Sequence, residues 1–126
     1  MSEIPADLKY TNEHEWARIE GDVATVGITA HAVEQLGDIT MVTLPEVGTR
    51  VTAGEPFGDI DSVKAVSELY APVDGEIIEV NTTLEDRPEL VNEAPYGDGW
   101  LVRIRVEGGT DALLSADAYA KLVEEA

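Results

Sequence analysis

Turn signals punctuate this chain, and most of the runs they bound read as short strands. Gly21-Asp22, Pro45-Glu46-Val47-Gly48, Ala53-Gly54-Glu55-Pro56, Gly97-Asp98-Gly99 and Gly108-Gly109 each interrupt the backbone. Between them lie strand-like runs: Leu8 to Asn12, His14 to Glu20 around Trp16, Val23 to Ile28, Asp38 to Leu44, Thr49 to Thr52, Ile77 to Val80, and Trp100 to Val106. Helix signals occur in two places. Thr29 suits an N-cap and Gly37 a C′ position, which predicts a two-turn helix over 30–36. Ser115 suits a second N-cap, with Leu114 and Tyr119 at staple positions, which predicts a C-terminal helix over about 115–125. Residues 81–96 carry Pro88 and Pro95 and little periodicity, and read as a long surface loop. The expectation is one mainly β domain over 1–126: an antiparallel barrel or sandwich with a short inserted helix and a C-terminal helix.

Charge and composition exclude whole classes of function. The 126 residues carry 26 acids against 8 bases, a formal net charge of −18, so the surface repels phosphate backbones and nucleic acid is an implausible partner. Such acidity suits a salt-rich cytoplasm, where screening relieves self-repulsion. No apolar run approaches the length that crosses a bilayer. Met1 to Asp7 has neither the basic and apolar regions of a signal peptide nor the arginines of a transit peptide, so the expected location is cytoplasmic. Cysteine is absent, so any reactive sulfur must arrive on a cofactor.

The centre of the chain is the stretch from Phe57 to Tyr70. Two strand-like runs flank a short polar link that carries Lys64, one of only three lysines. At a hairpin tip its ammonium stands in water while its neighbours are held by the sheet. A solvated turn lysine has the same local pattern, so the remainder of the chain must distinguish the two. After Tyr70, the stretch Ala71 to Glu76 turns the chain into the next strand.

No catalytic set accompanies the lysine. His14 and His31 lack further ligands at metal-binding spacing. Glu13 and Glu15 would share a strand face, yet paired surface carboxylates are ordinarily solvated. Gly54 to Gly58 lacks phosphate-loop spacing, and Ser62, Ser67 and Ser115 lack a nucleophile elbow. The chain does not read as an enzyme. Trp16 and Trp100 read as core rather than as a binding cluster.

A tethered carrier needs a flexible arm on a rigid tip, small neighbours and features that a modifying enzyme can read. Asp61, Val63 and Ala65 around Lys64, with Gly75 eleven residues on, meet those needs. Asp61-Ser62-Val63-Lys64-Ala65, followed by Tyr70-Ala71-Pro72-Val73-Asp74-Gly75-Glu76, resembles the lipoylation motif of glycine cleavage system H proteins. The resemblance continues in order along nearly the whole chain. It takes in Leu8-Lys9-Tyr10 with His14-Glu15-Trp16, Val26 to Thr29 with Gln35 to Asp38, and Leu44 to Gly48. It continues through Pro88 to Asn92, Tyr96 to Leu101 and Leu113 to Tyr119.

That resemblance implies the lipoyl-type flattened β barrel, the barrel-sandwich hybrid, and a non-catalytic, monomeric shuttle. Lys64 would carry lipoic acid in amide linkage. The implied partners are a lipoylating enzyme, the pyridoxal phosphate enzyme glycine decarboxylase, the tetrahydrofolate-dependent aminomethyltransferase, and the flavin- and NAD-dependent dihydrolipoamide dehydrogenase. Glycine's aminomethyl group would be loaded at the decarboxylase and passed on at the transferase, and electrons would leave through the dehydrogenase. The resemblance also implies that the loaded arm folds into a cleft where Glu15 and Glu68 hold the cationic amine by charge-assisted hydrogen bonds. Glu68 stands where the family often has Asp, Asp61 where Glu is common, and Glu13 where some members carry a small hydroxyl. Rival readings are an H-like relay that supplies lipoyl groups to other proteins, a biotin carrier, a lipoyl domain of a 2-oxo acid dehydrogenase, and an unmodified sugar- or peptide-binding sandwich. Val63 and Ala65 replace the methionines that usually flank a biotinyl lysine.

Overall fold

The computed structural model describes residues 4–125. Among the described residues, nine strands form two antiparallel sheets. The larger holds β1 (Lys9–Tyr10), β2 (Glu15–Glu20), β3 (Val23–Ile28), β9 (Val102–Gly108), β8 (Asp74–Val80) and β5 (Arg50–Val51), adjacent in that order. The smaller holds β4 (Ile39–Thr43), β6 (Pro56–Ser62) and β7 (Val66–Tyr70). The two sheets pack as a sandwich without closing into a barrel, and the mainly β expectation is met.

Alternation along the strands builds the core. Ile77 on β8 and Val102 and Ile104 on β9 are buried, and so are Ile60 on β6, Val42 on β4 and Leu69 on β7. The outward residues of β8 and β9 pair across strands instead: Arg103 with Glu79 at 2.6 Å, and Arg105 with Glu76. A second cluster forms around Leu8, Tyr10, Trp16 and Tyr119, all essentially inaccessible. Tyr119 comes from α4 (Ala116–Glu125), which Ser115 caps by accepting from the Ala118 amide at 3.2 Å. The ring of Tyr119 stacks on Tyr10 at 4.7 Å.

The inserted helix α1 (Ala30–Leu36) has the predicted ends. Thr29 Oγ accepts from the Ala32 amide, and Gly37, at φ 79°, sends its own amide to the Val33 carbonyl. Residues 81–96 are a correction. They form two single-turn helices, α2 (Thr83–Asp86) and α3 (Leu90–Glu93), whose Leu84, Leu90 and Val91 are core residues. Elements of four residues are too short to show a helical period, so the prolines dominated the pattern. Buried Asn81 ties the segment down by donating to the Asp98 and Trp100 carbonyls, both at 2.8 Å. The 71–76 stretch is also less of a turn than expected, because β8 already begins at Asp74. Trp100 is only half-buried and precedes its strand, with the Arg103 guanidinium 4.3 Å over its ring, whereas Trp16 is fully core.

Candidate functional site

The β6–β7 turn places Lys64 at an apex. Ser62 closes the turn by itself: its Oγ accepts from the Lys64 and Ala65 amides at 3.2 and 3.0 Å, and its amide donates to the Ala65 carbonyl at 2.8 Å. The turn is also braced from outside, since the Val63 amide donates to the Asp38 carbonyl at 3.0 Å. Val63, Lys64 and Ala65 are all exposed. Gly37 lies under the lysine stem, and a methyl there would stand 2.9 Å from Lys64 Cε. The result is a rigid backbone beneath a free ammonium.

Of the other predicted residues, Asp61 is next to the turn, at the end of β6, paired with Val66 and Met41. Gly75 is elsewhere. It lies in β8 on the other sheet, where any side chain would collide with the Arg105 carbonyl and the Ile104 side chain. Close strand packing is reason enough for a glycine there.

Glu15 belongs to a different environment. Thr11 to His14 form the β1–β2 hairpin turn: the His14 amide donates to the Thr11 carbonyl, and His14 itself adopts φ 70°. That left-handed conformation is unfavourable for a residue with a side chain. It is held by Nδ1 against the Tyr119 hydroxyl at 2.7 Å and by the His14 carbonyl accepting from the Thr29 amide at 3.0 Å. The turn delivers Glu15 inward as the first residue of β2, only 1% exposed. Its Oε1 accepts from Thr11 Oγ at 2.6 Å and its Oε2 from the Tyr70 amide at 3.3 Å. Burial pushes the carboxyl up to about 8, against the lowering effect of both hydrogen bonds and with a small further push from Glu13. The group is therefore mostly neutral at pH 7, and an arriving cation would draw it into the charged form.

A cleft of about 280 Å³ opens over Glu15. Thr11, Glu13, Tyr70, Pro72 and Leu113 are among its walls. Glu13 stays exposed in the turn and does not share a strand face with Glu15. Glu68 is exposed on β7 outside this lining, two residues before Tyr70, where its charge is the chief cause of the raised Tyr70 phenol. The structure thus puts Glu15 in the cleft and Glu68 beside its rim. It also adds Thr11 and the Tyr70 amide, which sequence reasoning missed; the Thr11 spacing from Glu15 was visible, but only the left-handed His14 turn brings the two together.

His14 and His31, far apart in sequence, lie with ring centroids 4.8 Å apart. Burial chiefly, and then the neighbouring His31, hold His14 below its usual range. Among the described residues no group of three or more potential metal ligands occurs. None of the described helices is long and apolar enough to cross a membrane.

Known proteins resemble this arrangement along its full length. A family model described as glycine cleavage H-protein matches residues 8–126. The chain belongs to that family. The glycine cleavage system H protein of Rubrobacter xylanophilus is 66% identical over 99% of this chain and 98% of its own. The corresponding protein of Herpetosiphon aurantiacus is 53% identical over 99% and 97%. The crystal structure of a glycine cleavage system H protein from Mycobacterium marinum superposes with a TM-score of 0.91 at 46% identity, covering 96% of this chain and 99% of that one. The lipoyl-type sandwich expected from sequence is the fold of this H-protein relative.

Proposed function

We propose that this H-family chain is a non-catalytic, cytoplasmic lipoyl carrier of glycine cleavage, modified on Lys64. The observation that carries the proposal is the apex itself: an exposed lysine on a turn fixed by Ser62 and by the Asp38 carbonyl. The site fits a long acyl arm in amide linkage. Nζ is open to an activated acid, the flanking Val63 and Ala65 are small, and the backbone below is pinned. Lipoic acid attached there supplies a disulfide that accepts a one-carbon amine and a dithiol that is later reoxidised.

The chain's own residues position, shelter and release the cargo. The turn holds the pivot. An arm seated in the cleft over Glu15 would displace its water, and the carboxyl gives a cationic amine a charge-assisted partner held in place by Thr11 Oγ and the Tyr70 amide. Entry of the cation favours loss of the Glu15 proton, so docking and proton release are coupled. Glu68, exposed near the mouth, adds attraction at the rim. The enzymes that exchange cargo with this carrier are glycine decarboxylase, aminomethyltransferase and dihydrolipoamide dehydrogenase, after a lipoylating enzyme has modified it as a monomer.

Intact mass of protein from its native host, with peptide mapping, tests the attachment. A lipoyl increment on Lys64 that gains two hydrogens on reduction is the expected result. A biotin increment, or an unmodified chain in a host that lipoylates other proteins, overturns it. Reconstituted glycine–bicarbonate exchange with active decarboxylase tests the shuttle role, and absence of exchange leaves the lipoyl relay.

A further inference from the structure

The brace under Lys64 is itself held by one side chain. Asn92, in α3, spans the corner between α1 and β4: its Nδ2 donates to the Gly37 carbonyl and its Oδ1 accepts from the Ile39 amide, both at 2.8 Å. The residue between those two anchor points is Asp38, whose carbonyl receives the Val63 amide. Ile39 is also the register partner of Ser62, which closes the lysine turn. Gly37 is the residue over which the Lys64 stem lies. Three consecutive residues therefore each meet the turn, and one amide side chain clamps the first and the last of them. An amide suits the task because it offers a donor and an acceptor together, which no carboxylate or aliphatic side chain does.

We propose that Asn92 is a positioning residue for the modification of Lys64, setting where the turn stands when the lipoylating enzyme engages it. The inference rests on Lys64 being the lipoyl attachment point. Without the clamp the corner at 37–39 samples more positions, and the turn is competent in only a fraction of them. The apparent affinity for the modifying enzyme falls by that fraction, while the chemical step, once engaged, is unaltered. The expected signature is a raised KM with kcat retained.

Asn81 provides a matched control. Like Asn92 it lies in the 81–96 segment, but it bridges the carbonyls of Asp98 and Trp100 rather than the 37–39 corner. Purified wild-type chain, Asn92→Ala and Asn81→Ala are each presented to a lipoate ligase with ATP and lipoate, and attachment is followed by intact mass. Hydrogen exchange at the Val63 amide is measured in parallel. In Asn92→Ala, KM should rise about tenfold at constant kcat and Val63 exchange at least tenfold faster. Asn81→Ala should stay within twofold of wild type in both. Equal losses in the two variants, or an unchanged KM in Asn92→Ala, overturn the proposal. If Asn92→Ala does not fold, Asn92→Asp takes its place: it keeps the acceptor for Ile39, loses the donor to Gly37, and should raise KM about threefold, an unchanged KM again overturning the idea. Failure of the wild-type chain to be modified on Lys64 removes the underlying reading instead, so the two failures are distinct.

Discussion

Lys64 and Glu15 are both ionisable side chains on short turns, and they are prepared for opposite tasks. The lysine turn is pinned at its backbone amides, by the Ser62 hydroxyl and the Asp38 carbonyl, and the lysine's charged end is left exposed. At Glu15 the backbone is bent into place by a left-handed His14, and the side chain itself is fixed at both oxygens. Exposure leaves the lysine open to a modifying enzyme, while burial holds the carboxyl in its neutral form until a cation arrives. On the proposed function, one fold thus separates an attachment point, which must be reached, from a shelter, which must be closed.

The sharpest break is at the exposed end. Lys64→Arg keeps the charge and lacks the primary amine, so lipoyl incorporation should vanish in the mass spectrum. The melting temperature should hardly move, because surface substitutions away from packed features cost within about 0.5 kcal/mol. Loss of cooperative unfolding in this variant would contradict the exposed apex.

At the buried end the expected effect is graded. Glu15→Gln keeps the shape and removes the charge, and should shorten the lifetime of the sheltered cargo roughly tenfold, in keeping with losing a charge-assisted hydrogen bond. Unchanged hydrolysis kinetics would remove Glu15 from the shelter. The same substitution has a consequence for pH. The carboxyl is raised to about 8 in the fold, above the value near 4.3 of an unfolded Glu. The fold therefore binds this proton more tightly, and the stability that results is complete below about pH 4 and lost as pH rises through 8. Glu15→Gln should flatten that decline and, at pH 9, melt roughly 5 °C higher than the unsubstituted chain. Parallel melting curves from pH 5 to pH 9 would refute the burial argument.

Smaller effects refine the contrast. Thr11→Val removes the 2.6 Å bond to Glu15 and should raise the carboxyl's titration midpoint further, at a cost of about 1 kcal/mol at high pH; NMR titration of the Glu15 carboxyl would show it. Glu68→Gln, on the exposed rim, should change cargo lifetime less than about twofold, as fits a screened surface charge. A loss from Glu68→Gln as large as that from Glu15→Gln would mean that the cleft extends along β7.

What was legible in the sequence follows the same division. The lysine turn shows itself because its chemistry is local: Ser62, Val63, Lys64 and Ala65 are contiguous. Both helix caps, at Thr29 and Ser115, could be read for the same reason. Glu15 is visible as a residue, but its burial is not, because its side-chain partners are Thr11 across the left-handed turn and the Tyr70 amide on distant β7, and its cleft is walled by residues as far apart in sequence as Ala53 and Leu113. The sequence marks Tyr119 as a staple residue of the C-terminal helix, yet its stacking on Tyr10 and its hydroxyl contacts with Thr29 and His14 depend on where α4 docks. Residues 81–96 were read as surface because single helical turns carry no period, although Leu84, Leu90 and Val91 supply core and Asn92 reaches the lysine corner. Gly75 stands out in the sequence by its spacing from Lys64, and only the structure shows how closely, in β8, it packs against the Arg105 backbone.

β7 joins the two regions directly. It begins at Val66, just past the lysine turn, and ends at Tyr70, whose amide holds Glu15; at roughly 3.3 Å per residue the strand between them is about 13 Å long. The proposed pivot and shelter are thus both tied to one hydrogen-bonded strand, and their separation does not change as loops move. A tethered amine would meet the carboxyl at an effective concentration set by the arm alone, on the order of millimolar for a short flexible linker. A cleft with an affinity of only about 0.1 mM for a free amine would then be about nine-tenths filled by a tethered one. Weak intrinsic binding is enough for protection, and it leaves the next enzyme little to overcome when it draws the arm out.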